Sequence, residues 1–285
     1  MRTIIIIFFA LIVVVAIAYL LHSTSTKTRA ESNGLQQIRT ENFDRHNSNK
    51  ETLYQQSASS DHPEWPAIES NQTVVSHTGY SLVYDETHEQ AIWVAYELTQ
   101  EETANEIERS DHFSEDPEIS SRSATHADYA KSGYDRGHLA PASDMGWSIQ
   151  AMEESFYYSN MSPQHPSFNR GIWKKLETQV RTWARDHERV YVVTGPVLSE
   201  GLPTIGPNEV SVPKYYYKVI LDNHNTHANG IGFILPNAPS KQPLSEFAVT
   251  IDSVEKVTGI NFFPTIPSER IEPLESERCL NCWGL

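Results

Sequence analysis

The sequence is poor in cysteine, poor in basic residues and without a fixed internal repeat. Two cysteines in 285 residues exclude a disulfide framework and a cysteine-rich metal cage. Thirteen Gly and sixteen Pro, with no period, exclude collagen-like and low-complexity architectures. Lys and Arg number 22 against 37 Asp and Glu, a formal net charge of −15. Taken whole, that balance disfavours a partner made of phosphates, because like charges repel. What is present suffices to fold. Hydrophobic residues at 39% and aromatics at 10% place the chain outside the disordered class. Its length suits one large domain or two small ones with a real core.

One long hydrophobic run occurs. Residues 4–21, IIIIFFALIVVVAIAYLL, follow Arg2 without a polar interruption. At 1.5 Å per residue they span about 27 Å, close to the hydrocarbon thickness of a bilayer. Two readings stay open: an uncleaved signal-anchor, or a signal peptide with the small-x-small site Ala16-Ile17-Ala18 behind its apolar region. Either puts the body outside the cytoplasm, in a periplasm or the extracellular space, anchored through residues 4–21 or secreted after cleavage. Residues 22–76 are polar and rich in Ser, Thr, Asn, Gln and His, the composition of a tether. The body is expected over residues 77–278, followed by a tail, 279–285. Cys279 and Cys282 in that tail read better as a local disulfide than as a redox motif.

Within the body, GYSLVYD (79–85) and AIWVAYEL (91–98) flank a polar turn and predict a β-hairpin. Residues 189–198, 214–222 and 230–236 are further strands. Helical patterns cover 149–157, 169–187 and 252–258, the last closed by Gly259. Irregular interleaving of the two predicts an α+β domain of roughly 200 residues. Tyr215, Tyr216 and Tyr217 could stack on bases, but alternating burial in a strand accounts for them better.

The chemistry lies in residues 134–177, YDRGHLAPASDMGWSIQAMEESFYYSNMSPQHPSFNRGIWKKLE. In an extended segment Arg136 and His138, two apart, share a face. A neutral imidazole accepts a proton from water near pH 7, and a guanidinium holds an anion with forked donors. Such a pair suits phosphodiester hydrolysis, whereas a lone histidine more often caps a turn. On a helix at 100° per residue, Ile172, Trp173, Leu176, Val180 and Trp183 form the buried stripe. Asn169 projects along that arc at the helix start, where a polar amide needs a partner such as a metal ion or a polar site. Arg170, Lys174, Arg181 and Arg185 fall on a neighbouring arc with Glu177 at its border. That stripe is a candidate track for a nucleic-acid backbone, or simply a solvated face.

The motifs YDRGHLAPASDM, SNMSPQ and FNRGIWKKLE, in this order, resemble the DNA/RNA non-specific endonuclease family, the ββα-metal (His-Me finger) nucleases. The resemblance extends upstream through Arg109-Ser110-Asp111-His112-Phe113 and covers about residues 77–278. It implies a ββα-metal domain with a central, mainly antiparallel sheet flanked by helices. It implies a sequence-non-specific endonuclease for DNA and RNA, with His138 as the general base that activates water. Asn169 matches the single protein ligand of a Mg²⁺ ion, with Mn²⁺ or another divalent ion as a substitute. Glu177 matches the carboxylate that orients the water around the metal, and Arg136 and Arg109 match the arginines that bind phosphate. Asn160 matches a residue that positions the base and the scissile group, and Asp135 is expected to fix the backbone of its own tetrapeptide. Alternatives from other classes are a nucleic-acid-binding envelope protein that does not cut, and a metal-dependent phosphodiesterase of small molecules. The complete set His138, Asn169 and Glu177 counts against the first, and a long basic stripe is unnecessary in the second.

The charge objection weakens when it is resolved by region. Residues 85–118 hold twelve acids and one base, and residues 246–278 seven acids and three bases. Residues 122–189, which contain the candidate site, hold nine bases and eight acids. The excess of acid therefore belongs to the flanks.

Overall fold

β-Branched and aromatic side chains dominate residues 92–96, 190–194 and 215–220, and such residues fit a pleated surface buried against neighbours. The computed structural model describes residues 62–104, 107–223 and 228–285. Among them the strands are β1 (Val74–Ser76), β2 (Ser81–Asp85), β3 (Gln90–Thr99), β4 (Asp135–His138), β5 (Met161–Gln164) and β6 (Arg189–Pro196). They continue with β7 (Thr204–Ile205), β8 (Val210–Ser211), β9 (Tyr215–Asp222), β10 (Asn229–Pro236) and β11 (Ala248–Val249). The α-helices are α1 (His126–Tyr129), α2 (Ile149–Glu154), α3 (Lys174–Asp186), α4 (Ile251–Thr258) and α5 (Ser268–Ser276). A π-helical turn, Phe168–Trp173, leads into α3.

A seven-stranded antiparallel sheet in the order β1-β2-β3-β6-β9-β10-β11 forms the centre. β4 pairs with β5 and β7 with β8 outside it. The expected hairpin is β2–β3, and the three further strands are β6, β9 and β10. The apolar stripe lies where the 3.6-residue period puts it: Ile172, Trp173, Leu176, Val180 and Trp183 are all buried. It covers the sheet face that carries Tyr216 and Phe233, with ring centroids 5.6 Å apart for Trp173–Tyr216 and 6.0 Å for Trp183–Phe233. Tyr217 points to the other face and meets Phe262 at 5.8 Å. Neighbours in the tyrosine run thus serve opposite sides of the sheet, as a strand requires.

Two boundaries differ from the sequence reading. The segment expected to be tether up to residue 76 already contains β1, with Val74 opposite Val83. Ahead of it, Ala67 N–H donates to the Asn261 carbonyl at 2.8 Å, and His62 stacks on Trp65 at 4.0 Å. Backbone pairing and isolated aromatics hold this stretch, and neither leaves a periodic apolar signal. The C-terminal tail is likewise structural. Trp283 is 1% exposed, lies 4.9 Å from Trp183 and accepts that ring's N–H at its carbonyl, 2.8 Å away. Cys279 and Cys282 form the local disulfide. Residues 4–21 lie outside the described residues, among which no helix is long and apolar enough to cross a membrane.

α4 and α5 pack on β10 and bring the carboxylates of Asp252, Glu255 and Glu275 within 4.8 Å of one another. Glu275 is 7% exposed and its Oε1 has no hydrogen-bond partner. Burial pushes its pKa up to about 8, with the charges of Glu255, Asp252 and Glu272 adding to the effect. In the unfolded chain this group ionises near its ordinary 4.5. Between the two values the folded state holds the extra proton, so stability falls as pH rises through that window. Glu275→Gln should therefore stabilise the protein by about 2 kcal/mol at pH 9 and change little at pH 4.5. Urea unfolding at the two pH values measures this, and equal effects at both would reject it.

Candidate functional site

The tetrapeptide Asp135–His138 is β4, with Asp135 opposite Gln164 and His138 opposite Met161 of β5. Its alternation puts Arg136 and His138 on one face, and both meet Phe113. The Arg136 guanidinium sits 3.8 Å over that ring, and His138 meets its edge at 5.9 Å. Gly137 is required by close approach, since a Cβ there would stand 2.2 Å from Gln164 Cδ. Asn160, wholly buried, fixes the chain beyond β4. Its Oδ1 accepts from Ala140 N–H at 2.9 Å, and its Nδ2 donates to the carbonyls of Ala140 at 2.9 Å and Ser155 at 2.8 Å. With both amide atoms committed to backbone, Asn160 supports the segment following His138 and presents nothing to a substrate.

Asn169 differs from its expected direction. The π-helical turn, with Gly171 at φ −107° and ψ −108°, takes it off the buried arc and leaves it half-buried against β4. Its Nδ2 donates to Asp135 Oδ2 at 2.9 Å. The same carboxylate accepts from Arg170 Nε at 2.8 Å and Nη2 at 2.7 Å. Asp135 thus does more than steady its own strand: it joins β4 to the π turn. With Nδ2 engaged, Oδ1 of Asn169 has no hydrogen-bond partner among the described residues, leaving one hard oxygen donor beside a polar cavity. Mg²⁺ or Mn²⁺ would fit such a donor, because a small divalent ion takes oxygen ligands and fills most positions with water and phosphate.

That cavity, about 360 Å³, is lined by Arg109, Phe113, Tyr134, Asp135, Arg136 and Asn169 among others. Arg109 enters on a segment pinned where Ser114 bridges to Tyr157 and where Asp116 pairs with His77 Nε2 at 2.9 Å. Its guanidinium lies 4.8 Å from the Phe156 ring centroid, and its Nε bonds to Asp111 at 2.6 Å. His138 stands behind this wall, 8% exposed, with Phe156 edge-on at 4.9 Å and Nε2 without a partner. Burial, reinforced by Arg109 and Arg136, pushes its pKa down to about 3. The imidazole is therefore neutral throughout the neutral range.

Beneath α3 lies a buried group of charges that the sequence did not reveal. Arg181 pairs with the fully buried Asp144 at 2.7 Å, and Tyr96 O–H donates to the same carboxylate at 2.8 Å. Lys218 of β9, also fully buried, has its Nζ 4.8 Å from the Trp173 ring centroid. Glu177 is half-buried on α3. Burial pushes its pKa up while Lys218 pulls it down, Asp144 raises it, and Arg181 and Arg109 lower it. The structure thus brings Arg109, Arg136 and Asn169 to the wall of one cavity, with His138 buried against Phe113 of that wall and Glu177 within electrostatic reach of Arg109. The basic stripe does not persist as a track. Arg170 is held by Asp135, Arg181 turns inward to Asp144, and Arg185 bonds to Thr182 at 3.2 Å, leaving Lys174 exposed at the helix start.

A family profile described as DNA/RNA non-specific endonuclease matches residues 61–269. Endonuclease G, mitochondrial, of Bos taurus is 38% identical over 206 residues, covering 67% of this chain and 69% of that protein. Nuclease EXOG, mitochondrial, of Danio rerio is 36% identical over 215 residues, covering 70% of this chain and 63% of that protein. A crystal structure of the EndoG/EndoGI complex matches with a TM-score of 0.67 at 34% identity, covering 75% of this chain and 95% of that chain. These relatives correct the expected location. They are named as mitochondrial nucleases, so a membrane-anchored or secreted domain in a periplasm or outside the cell is not supported. Apolar length measures hydropathy rather than destination, and for that reason residues 4–21 could not fix a compartment.

Asn160→Ala should remove three buried hydrogen bonds and strand the Ala140 amide. The expected cost is about 3 kcal/mol or more of stability, with loss of any activity that depends on His138. Urea unfolding of the variant measures it, and a stability within about 0.5 kcal/mol of the parent would contradict the assigned role.

Proposed function

The chain belongs to the DNA/RNA non-specific endonuclease family, and we propose that it cuts with His138 as general base and a Mg²⁺ ion on Asn169. It is a sequence-non-specific nuclease of DNA and RNA, in a family of divalent-metal-dependent enzymes. The reading of the site rests on one observation: a neutral, buried imidazole stands on the same strand face as Arg136 and packs against Phe113, which with Arg136, Arg109 and Asn169 lines one cavity. Arg136 and Arg109 bind the phosphate through forked donors and set the phosphorus within reach of a water. His138 removes a proton from that water as its oxygen bonds to phosphorus, while the bond from phosphorus to the departing sugar oxygen breaks. When bound, the divalent ion supplies Lewis acidity that stabilises the charge developing on the phosphoryl and leaving oxygens. Glu177, in its ionised form, orients the water around it. Contact through phosphate and sugar carries no sequence information, in keeping with action on both DNA and RNA.

Incubation with plasmid DNA and with RNA, in Mg²⁺ and in EDTA, tests the activity; intact plasmid in Mg²⁺ rejects the reading. His138→Ala should lower metal-dependent cutting about 10²-fold or more in a protein that still folds, as circular dichroism would show.

The acid side of the pH profile carries a separate test. His138 stays neutral down to about 3, so the fall of kcat/KM in acid should report protonation of Glu177, whose pKa burial raises. Glu177→Gln should then be slow and flat across this range. An unchanged acid limb in that variant would assign it to another group.

A further inference from the structure

Lys218 has no part in the chemistry above, yet its position is costly. It lies in mid-strand opposite Thr194 of β6 and Phe233 of β10, with none of its surface exposed and no hydrogen-bond partner for Nζ. An ammonium removed from water without a partner is strongly unfavourable, and a methionine would fill similar space without that cost. The charge must therefore be compensated through space. It lies on the sheet face that α3 covers, beside Trp173, and the charges that act on it there are two acids, Glu177 and Asp144, and one cation, Arg181. Asp144 is already engaged, through Oδ1 by Arg181 and through Oδ2 by Tyr96. Glu177 makes no ion pair among the described residues. The ring under the ammonium, Trp173, donates its N–H to the His138 carbonyl at 3.4 Å, so the lysine also lies one side chain away from the backbone of the base.

We propose that Lys218 is a positioning residue, the buried countercharge that favours the ionised form of Glu177. The functional consequence rests on the role given to Glu177 above, but the pairing does not. The groups facing Glu177 are Lys218 from β9, Asp144 from the 3₁₀ turn Ala142–Asp144, Arg181 from its own helix, Tyr96 from β3 and Arg109 from the cavity wall. Asp144 opposes ionisation and is offset by Arg181, while Arg109 is half exposed and screened by solvent. Removing Lys218 therefore leaves Glu177 without its main support.

Carboxyl and Cε ¹³C NMR titrations of the metal-free protein test the pairing. In Lys218→Met the Glu177 midpoint should rise by about one pH unit or more, and the acid limb of kcat/KM should rise with it. By reciprocity of linkage, Glu177→Gln should lower the Lys218 midpoint. A folded Lys218→Met protein with an unmoved Glu177 midpoint overturns the proposal. Should that variant not fold, an unmoved Lys218 midpoint in Glu177→Gln overturns it equally. Midpoints that shift in a protein unable to cut plasmid would uphold the pairing and reject the catalytic role of Glu177.

Discussion

The Asp135 carboxylate is the clasp on which the site depends. It accepts from Asn169 Nδ2 and from two nitrogens of Arg170, and so joins β4, which carries Arg136 and His138, to the turn that carries Asn169. Among the described residues β4 pairs only with the short strand β5, outside the main sheet. A four-residue pairing supplies few backbone bonds, so the β4–β5 pair needs additional ties. Asp135 is one, and the Asn160 amide, clamped to Ala140 and Ser155, is another. Each acts within a few residues of His138, one before it and one after.

The π-helical turn makes the clasp geometrically possible. In an uninterrupted helix from 169 onward, Asn169 would point with Trp173 and Leu176 into the apolar seam. The non-helical backbone at Gly171 separates the two jobs: the stripe from Ile172 onward stays on the sheet, while Asn169 turns to Asp135. A side chain attached to the main core is thereby directed at the cavity. This coupling of rigid support to an accessible amide oxygen is what a site holding an ion by one protein ligand requires.

Periodicity carried much of this into the sequence and missed the rest for identifiable reasons. The β2–β3 hairpin, the strands β6, β9 and β10, and the stripe of α3 were legible because each follows from a period of 2 or 3.6 over several residues. The shared face of Arg136 and His138 was legible for the same reason. Asn169 was misdirected because a wheel at 100° per residue assumes the regular helix that Gly171 interrupts. Arg181 looked exposed because its partner, Asp144, lies 37 residues away, and no local pattern encodes a non-local ion pair. Asn160 was read as positioning the base and the scissile group, whereas its amide is spent on the Ala140 and Ser155 backbone, which only the fold brings near. Lys218 was hidden in a segment that reads simply as a strand.

The same pairings decide what the scarcity of base means for a polyanionic substrate. Of the four basic residues on the helix arc, Arg170 and Arg181 are neutralised by Asp135 and Asp144, so they serve the architecture and contribute little net field. Arg136 carries no ion pair among the described residues, and the Arg109–Asp111 pair is about half exposed on both sides, the kind of contact that a phosphate can displace at small cost. On the proposed reading, binding would rest on two or three phosphate contacts rather than a long track. By counterion release, each contact steepens the salt dependence by about 0.9 in the logarithmic slope, so a site of this size is only modestly sensitive to ionic strength. Local neutrality, not the net charge of −15, is the quantity that the substrate meets.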